Sequence, residues 1–159
     1  MRSHLFILLL LIFSTKLYGL ELPSEDFSFR SYGGLIFFED KKFELNENNV
    51  LQYIDHFRPH QLKVGNFGFT KNSVWSYLEI KSASDRKIYV DVEYGFHDEV
   101  VFLHFINGEL KSKYSTGDLK IFSDRPLLTN GFAFPVSLKA EGKNEIVLKF
   151  KAQENLQIP

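Results

Sequence analysis

From residue 35 onward, apolar and polar positions alternate mostly with a period of two rather than 3.6, the spacing of half-buried strands. Leu35-Ile36-Phe37-Phe38 predicts a short apolar strand, and Asp40-Lys41-Lys42 predicts a polar turn ahead of Phe43-Glu44-Leu45. The Asn-rich residues 46–49 can cap a short helix over 50–57, where Val50, Leu51, Ile54 and Phe57 have helical spacing. Arg58-Pro59 ends it, because the residue before a proline is pushed out of the helical region. Val74, Ser76, Leu78 and Ile80 alternate with Trp75, Tyr77, Glu79 and Lys81, and Ile88, Val90 and Val92 alternate with Tyr89, Asp91 and Glu93. Residues 100–106 are apolar on both faces apart from His104, which predicts a central strand. Asn107-Gly108 is a strong hairpin signal, since both positions tolerate positive φ, and it turns the chain back through residues 109–115. Residues 132–138 predict another strand, in which Pro135 requires an edge or a bulge because it has no amide donor. Gly142-Lys143-Asn144 turns into a last strand over 145–151, with Ile146, Leu148 and Phe150 facing inward.

About eight short strands separated by turn residues predict an all-β chain, a two-sheet β-sandwich of jelly-roll type with one short helix near the N-terminus. The composition agrees: 16% of the 159 residues are aromatic, 17 of them Phe, and aromatics favour strands and sheet cores. The first residues follow another pattern. A basic start at Arg2, the unbroken apolar run 5–13 and the small residue Gly19 predict a secretory signal over residues 1–19. The run is about half the length of a membrane span, so export with cleavage near Gly19 is expected rather than an uncleaved anchor. Residues 20–34, with Pro23 and Gly33-Gly34, then read as a linker to a domain over 35–159. No cysteine is present, which removes disulfides, thiolate metal sites, cysteine nucleophiles and a lipid anchor, and suits a periplasmic protein stabilised by its core. Without Arg2 and Lys16, the 19 basic residues fall to 17 against 20 acidic ones, a net charge of −3, and with no basic run a nucleic-acid partner is not expected.

Four side chains carry the ligand-binding expectation: Trp75, Tyr89, Asp118 and Arg125. Trp75, the single Trp, either stacks on a sugar ring or closes the core of the sandwich. Tyr77 and Tyr89 lie opposite the aliphatic stripes, so either could be an exposed platform. Arg125 is restrained by Pro126 and has Asp118 and Asp124 nearby in sequence. Its guanidinium can clamp a ligand carboxylate or pin the loop through one of those aspartates. Asp118, after Gly117, can likewise only close a turn. No metal site and no cofactor are expected. His56 and His60 have the spacing of helix-borne ligands, but Pro59 lies between them. His104 reads as a hydrogen-bonded core histidine, and His97-Asp98-Glu99 as a polar corner that would bind calcium only if other oxygens converged there. The sequence has no Gly-x-Ser-x-Gly, His-Glu-x-x-His, phosphate-binding glycine loop or Ser-x-x-Lys, and no pair of carboxylates stands out for glycoside hydrolysis, so an enzyme is not expected.

The ordered series of these segments resembles a known family. It runs from the opening strand 35–40 through Phe57-Arg58-Pro59, Asn66-Phe67-Gly68-Phe69-Thr70, Val74-Trp75 and Phe96-His97-Asp98-Glu99-Val100 to Gly117-Asp118, the loop 122–126 and Phe132-Ala133-Phe134-Pro135. In that order they resemble the second type of extracellular domain of bacterial seven-transmembrane receptors with diverse intracellular signalling modules, over roughly residues 35–159. The resemblance implies a periplasmic sensor domain with a jelly-roll fold like that of carbohydrate-binding modules. It further implies a small polar ligand such as a sugar, and a seven-helix membrane segment with a cytoplasmic output as partner. An envelope protein-interaction module is the alternative, with a secreted glycan-active enzyme behind it. The sequence stops at Ile158-Pro159, where the family enters the connection to its first membrane helix, so both a receptor input half and a free-standing exported copy fit it.

Overall fold

The structure, a computed structural model, describes residues 19–22, 34–60 and 65–158. The expected signal segment up to residue 18, and residues 23–33 of the expected linker, lie outside the described residues. The fold is all-β, as the alternation predicts. Its largest sheet combines β1 (Gly19–Glu21), β2 (Ile36–Asp40), β3 (Arg58–Pro59), β5 (Ser73–Lys81), β7 (Glu99–Ile106), β8 (Glu109–Thr116) and β10 (Asn144–Lys151), in the order β3-β2-β5-β10-β7-β8. β1 continues the β2 edge, running parallel to the far half of β5 with Leu20 opposite Ile80. The first residues of the expected linker are thus already strand, and Leu22 is buried. Two antiparallel ribbons make the opposing layer: β6 (Arg86–Val92) with β9 (Phe132–Leu138), and β4 (Gly65–Phe69) with β11 (Asn155–Ile158).

The main core lies between the layers. Phe37, Val74, Leu78, Val100, Phe102, Ile146, Leu148 and Phe150 from the large sheet meet Val92, Phe132, Phe134, Val136, Leu138, Leu156 and Ile158 from the ribbons. At its centre Phe102 and Phe134 stack with ring centroids 4.6 Å apart. A second, smaller core covers the other face of the sheet. Residues Val50–His56 form a 3-10 helix that lays Val50, Leu51, Tyr53 and Ile54 over Trp75, Leu103, Phe105 and Val147. This explains why β5 is buried on both faces although its sequence alternates. The expected short helix over 50–57 is present as a 3-10 segment that ends at His56. The Asn cluster builds the turn before it instead of capping a helix: Asn49 Oδ1 accepts the Asn46 N–H at 2.8 Å, and Asn46 Oδ1 accepts the Asn48 N–H at 2.9 Å.

The strand logic survives in detail. Asn107 and Gly108 take φ of 53° and 79°, the left-handed pair that closes the β7–β8 hairpin. Pro135 lies opposite Tyr89 in β9, which pairs only with β6 and so needs no donor on its other side. Asp40 is buried and fixes the following turn by accepting the amides of Glu44 and Leu45 at 3.2 and 3.0 Å. His104 is a core histidine, 2% exposed, and burial holds it below the ordinary imidazole pKa.

Candidate functional site

Two surfaces carry the side chains of interest. The first is the solvent face of the β6–β9 ribbon. Period-two alternation turns Arg86, Ile88, Val90 and Val92 of β6 toward the core and leaves Lys87, Tyr89 and Asp91 facing out. Tyr89 is 67% exposed and stands opposite Pro135, while Lys87 stands opposite exposed Ser137. A ring is thus held on a rigid ribbon with an amine on one side and a carboxyl on the other, each two residues away on the same face. The carboxyl of Asp91 is pushed above its usual range, first by partial burial and then by the charge of Glu93.

The second surface is the end of the sandwich where β7 begins and β8 and β9 are joined. The loop 93–98 and the loop 117–131 pack against each other there. A Cβ placed on Gly95 would lie 2.7 Å from the Asn130 carbonyl oxygen, and one on Gly117 would lie 2.1 Å from that of Asp98. The Asp118 N–H donates to the His97 carbonyl at 2.7 Å. His97 itself is fully buried, with its ring 4.9 Å from Phe150, 5.3 Å from Tyr94 and 6.3 Å from Phe132. Neither ring nitrogen has a hydrogen-bond partner among the described residues, and burial lowers its pKa to about 4.

The four expected binding residues do not converge. Trp75 is 2% exposed and lies in the small core under the 3-10 segment, so its ring offers no open face for a sugar; of the two readings of this residue the structure takes packing. Tyr77 is also buried there, donating to Glu145 Oε1 at 3.1 Å beside Lys143, and burial raises its pKa. Arg125 meets neither Asp118 nor Asp124. After Pro126 the loop folds back, and Arg125 Nη1 donates to the carbonyls of Thr129, Asn130 and Gly131 at 2.7, 3.1 and 3.2 Å. Its guanidinium also lies 4.7 Å from the Phe122 ring centroid and 4.8 Å from that of Phe132. The expected Arg–Asp pin is therefore an arginine–carbonyl pin. Asp118 is exposed and closes the turn through its backbone. Only Tyr89 of the four presents an open aromatic face.

Pro59 breaks the register of His56 and His60: His56 ends the 3-10 segment beside Tyr53, whereas the His60 ring packs on Phe37 and Phe67. At the 97–99 corner, Asp98 accepts the Gln153 N–H at 2.7 Å and Glu99 accepts from Lys149 at 3.0 Å. Sequence reasoning passed over Lys87 and Asp91, although the alternation around Tyr89 puts all three on one face. It had no signal for the aromatic cage around His97, two of whose walls, Phe132 and Phe150, come from distant segments.

The sequence profile of the family "7TMR-DISM extracellular 2" matches residues 33–159, and the chain belongs to that family of receptor extracellular domains. No curated protein matches the sequence. Among the described residues no helix is long and apolar enough to cross a membrane.

Proposed function

We propose that this chain is the ligand-sensing domain of a seven-helix receptor, exported by its N-terminal segment to the periplasm, and that it takes a small polar ligand such as a sugar on the ribbon face around Tyr89. The observation that carries the reading is the ring of Tyr89, 67% exposed on a rigid strand between Lys87 and Asp91. The apolar face of a pyranose packs on such a ring, while an amine and a carboxyl at its rim bond the ring hydroxyls. The family resemblance implies a jelly-roll likeness to carbohydrate-binding modules, and a sugar is the ligand that this analogy of fold would suggest. Asp118 and Arg125 enter it as the residues that shape the neighbouring loop end. No catalytic role is assigned, since the family is one of receptor domains.

A panel of neutral sugars and sugar acids, scored by the shift in thermal midpoint, tests this. Tyr89→Ala is expected to leave the stability of the free protein within about 0.5 kcal/mol of wild type, because the side chain is exposed, and to weaken the active sugar about tenfold. If no sugar at millimolar concentration moves the wild-type midpoint, or Tyr89→Ala binds as well as wild type, the ribbon is not the site.

A further inference from the structure

The end of the sandwich opposite the 139–143 turn exposes large apolar side chains that the ribbon-face reading leaves unused. Phe96 on one loop, and Leu119, Ile121, Phe122 and Leu128 on the other, are 70, 71, 73, 50 and 70% exposed. The two loops touch at Gly95–Asn130 and at Asp98–Gly117, so these residues crowd one end of the molecule. Taking about 200 Å² for a large side chain, they expose roughly 600 Å² of apolar surface. That lies at the top of the range for the largest patch on an ordinary monomer, about 300–600 Å².

We propose that this end is a self-association surface, occupied by the same end of a second copy of the chain. Two observations select that occupant. The first is area: an isologous contact would bury roughly 1,200 Å² of these apolar groups alone, which reaches the lower bound for a specific interface of about 1,200–2,000 Å². The second is charge. The apolar residues of the 117–131 loop are interleaved with Asp118, Lys120, Asp124 and Arg125, two acids and two bases, and among the described residues none of the four is in an ion pair. Lys120 Nζ bonds only the Ser115 hydroxyl and Arg125 only backbone carbonyls. A twofold axis can set the acids of one copy against the bases of the other, whereas a partner of one sign would match only half of them.

Sedimentation of the purified chain over a concentration series tests the proposal, with Ile121→Asp and Leu128→Asp as variants. The expected result is a reversible doubling of mass in wild type, weakened about tenfold or more by either variant. Melting midpoints taken on dilute, monomeric protein should stay unchanged, because both side chains face solvent in the single chain. A wild-type chain that stays monomeric to its solubility limit would overturn the proposal, and so would a dimer insensitive to both variants. A monomer that floats with phosphatidylcholine vesicles, and loses that binding in Ile121→Asp, would also overturn it and make the end a membrane contact. Sugar binding at Tyr89 is read separately, so failure of one proposal leaves the other standing.

Discussion

At the scale of single residues, His97 has the most to report. It is neutral and wedged among Tyr94, Phe132 and Phe150, with its ring pKa lowered to about 4 from an ordinary 6.5 by desolvation. The unfolded chain takes up a proton as pH falls through 6.5, while the folded one resists until about 4, so in this window the unfolded state binds more protons. Stability is therefore full above pH 6.5 and falls toward pH 4, by about 3 kcal/mol for this group if the shift of 2.5 is taken at face value. His104, lowered in the same direction by burial, adds to the fall. Denaturant titrations at neutral and mildly acid pH should show this slope, and His97→Phe, which fills the cage with another ring, should flatten most of it. An unchanged slope in His97→Phe would assign the acid sensitivity elsewhere. Little of this was legible beforehand. His104 announces itself inside an apolar strand, whereas His97 stands beside Asp98 and Glu99 and reads as polar, because the rings that enclose it come from 35 and 53 residues further along the chain.

At the scale of elements, the loops that carry the candidate surfaces are held by glycine as much as by hydrogen bonds. Gly117 has φ of 155°, and a Cβ there would lie 2.1 Å from the Asp98 carbonyl oxygen and 2.9 Å from the Glu99 Cα. Both obstacles are backbone, so neither can swing away. Gly117→Ala should cost about 2–4 kcal/mol by prising the two loops apart. Gly68 is the useful contrast: its φ of 63° is left-handed too, but nothing lies within 4 Å of a Cβ, so Gly68→Ala should cost only about 1 kcal/mol. Equal losses in the two variants, measured by thermal or denaturant melts, would show that backbone conformation rather than close approach sets the cost. The strands themselves were readable because each rule that marks them is local: alternation in β6, Asn107-Gly108 for the hairpin, Pro135 for an edge. The short helix was legible too, but its winding was not, for a non-local reason. Val50, Leu51 and Ile54 have helical spacing, but the segment is shaped by the sheet surface of Trp75, Leu103 and Phe105 onto which it is pressed, and there it winds as a 3-10 segment. Arg125 was misjudged likewise, since the carbonyls it binds come close only after the loop has turned.

At the scale of the whole molecule, the two cores share one sheet. Strands β5, β7 and β10 present Val74, Phe102 and Ile146 to the ribbons on one face, and Trp75, Leu103 and Val147 to the 3-10 segment on the other. Neither core can be lost while those strands remain intact on the opposite side, because each backbone carries side chains of both. Trp75 is the single Trp and lies wholly in the smaller core, so its emission reports that core without interference. Far-UV circular dichroism reports the strands common to both. A domain of this size with one shared sheet should unfold in a single step, so the two signals should give coincident denaturation midpoints. Loss of Trp75 emission well before the strand signal would mean that the 3-10 segment is a separately melting flap and that the smaller core adds little to the stability of the domain. The same arrangement sets a limit on ligand assays. Tyr89 faces solvent on the outer side of the ribbon layer, while Trp75 lies beyond the main core and the sheet. A sugar bound at Tyr89 should therefore leave the Trp75 emission maximum unmoved while raising the midpoint of both transitions together.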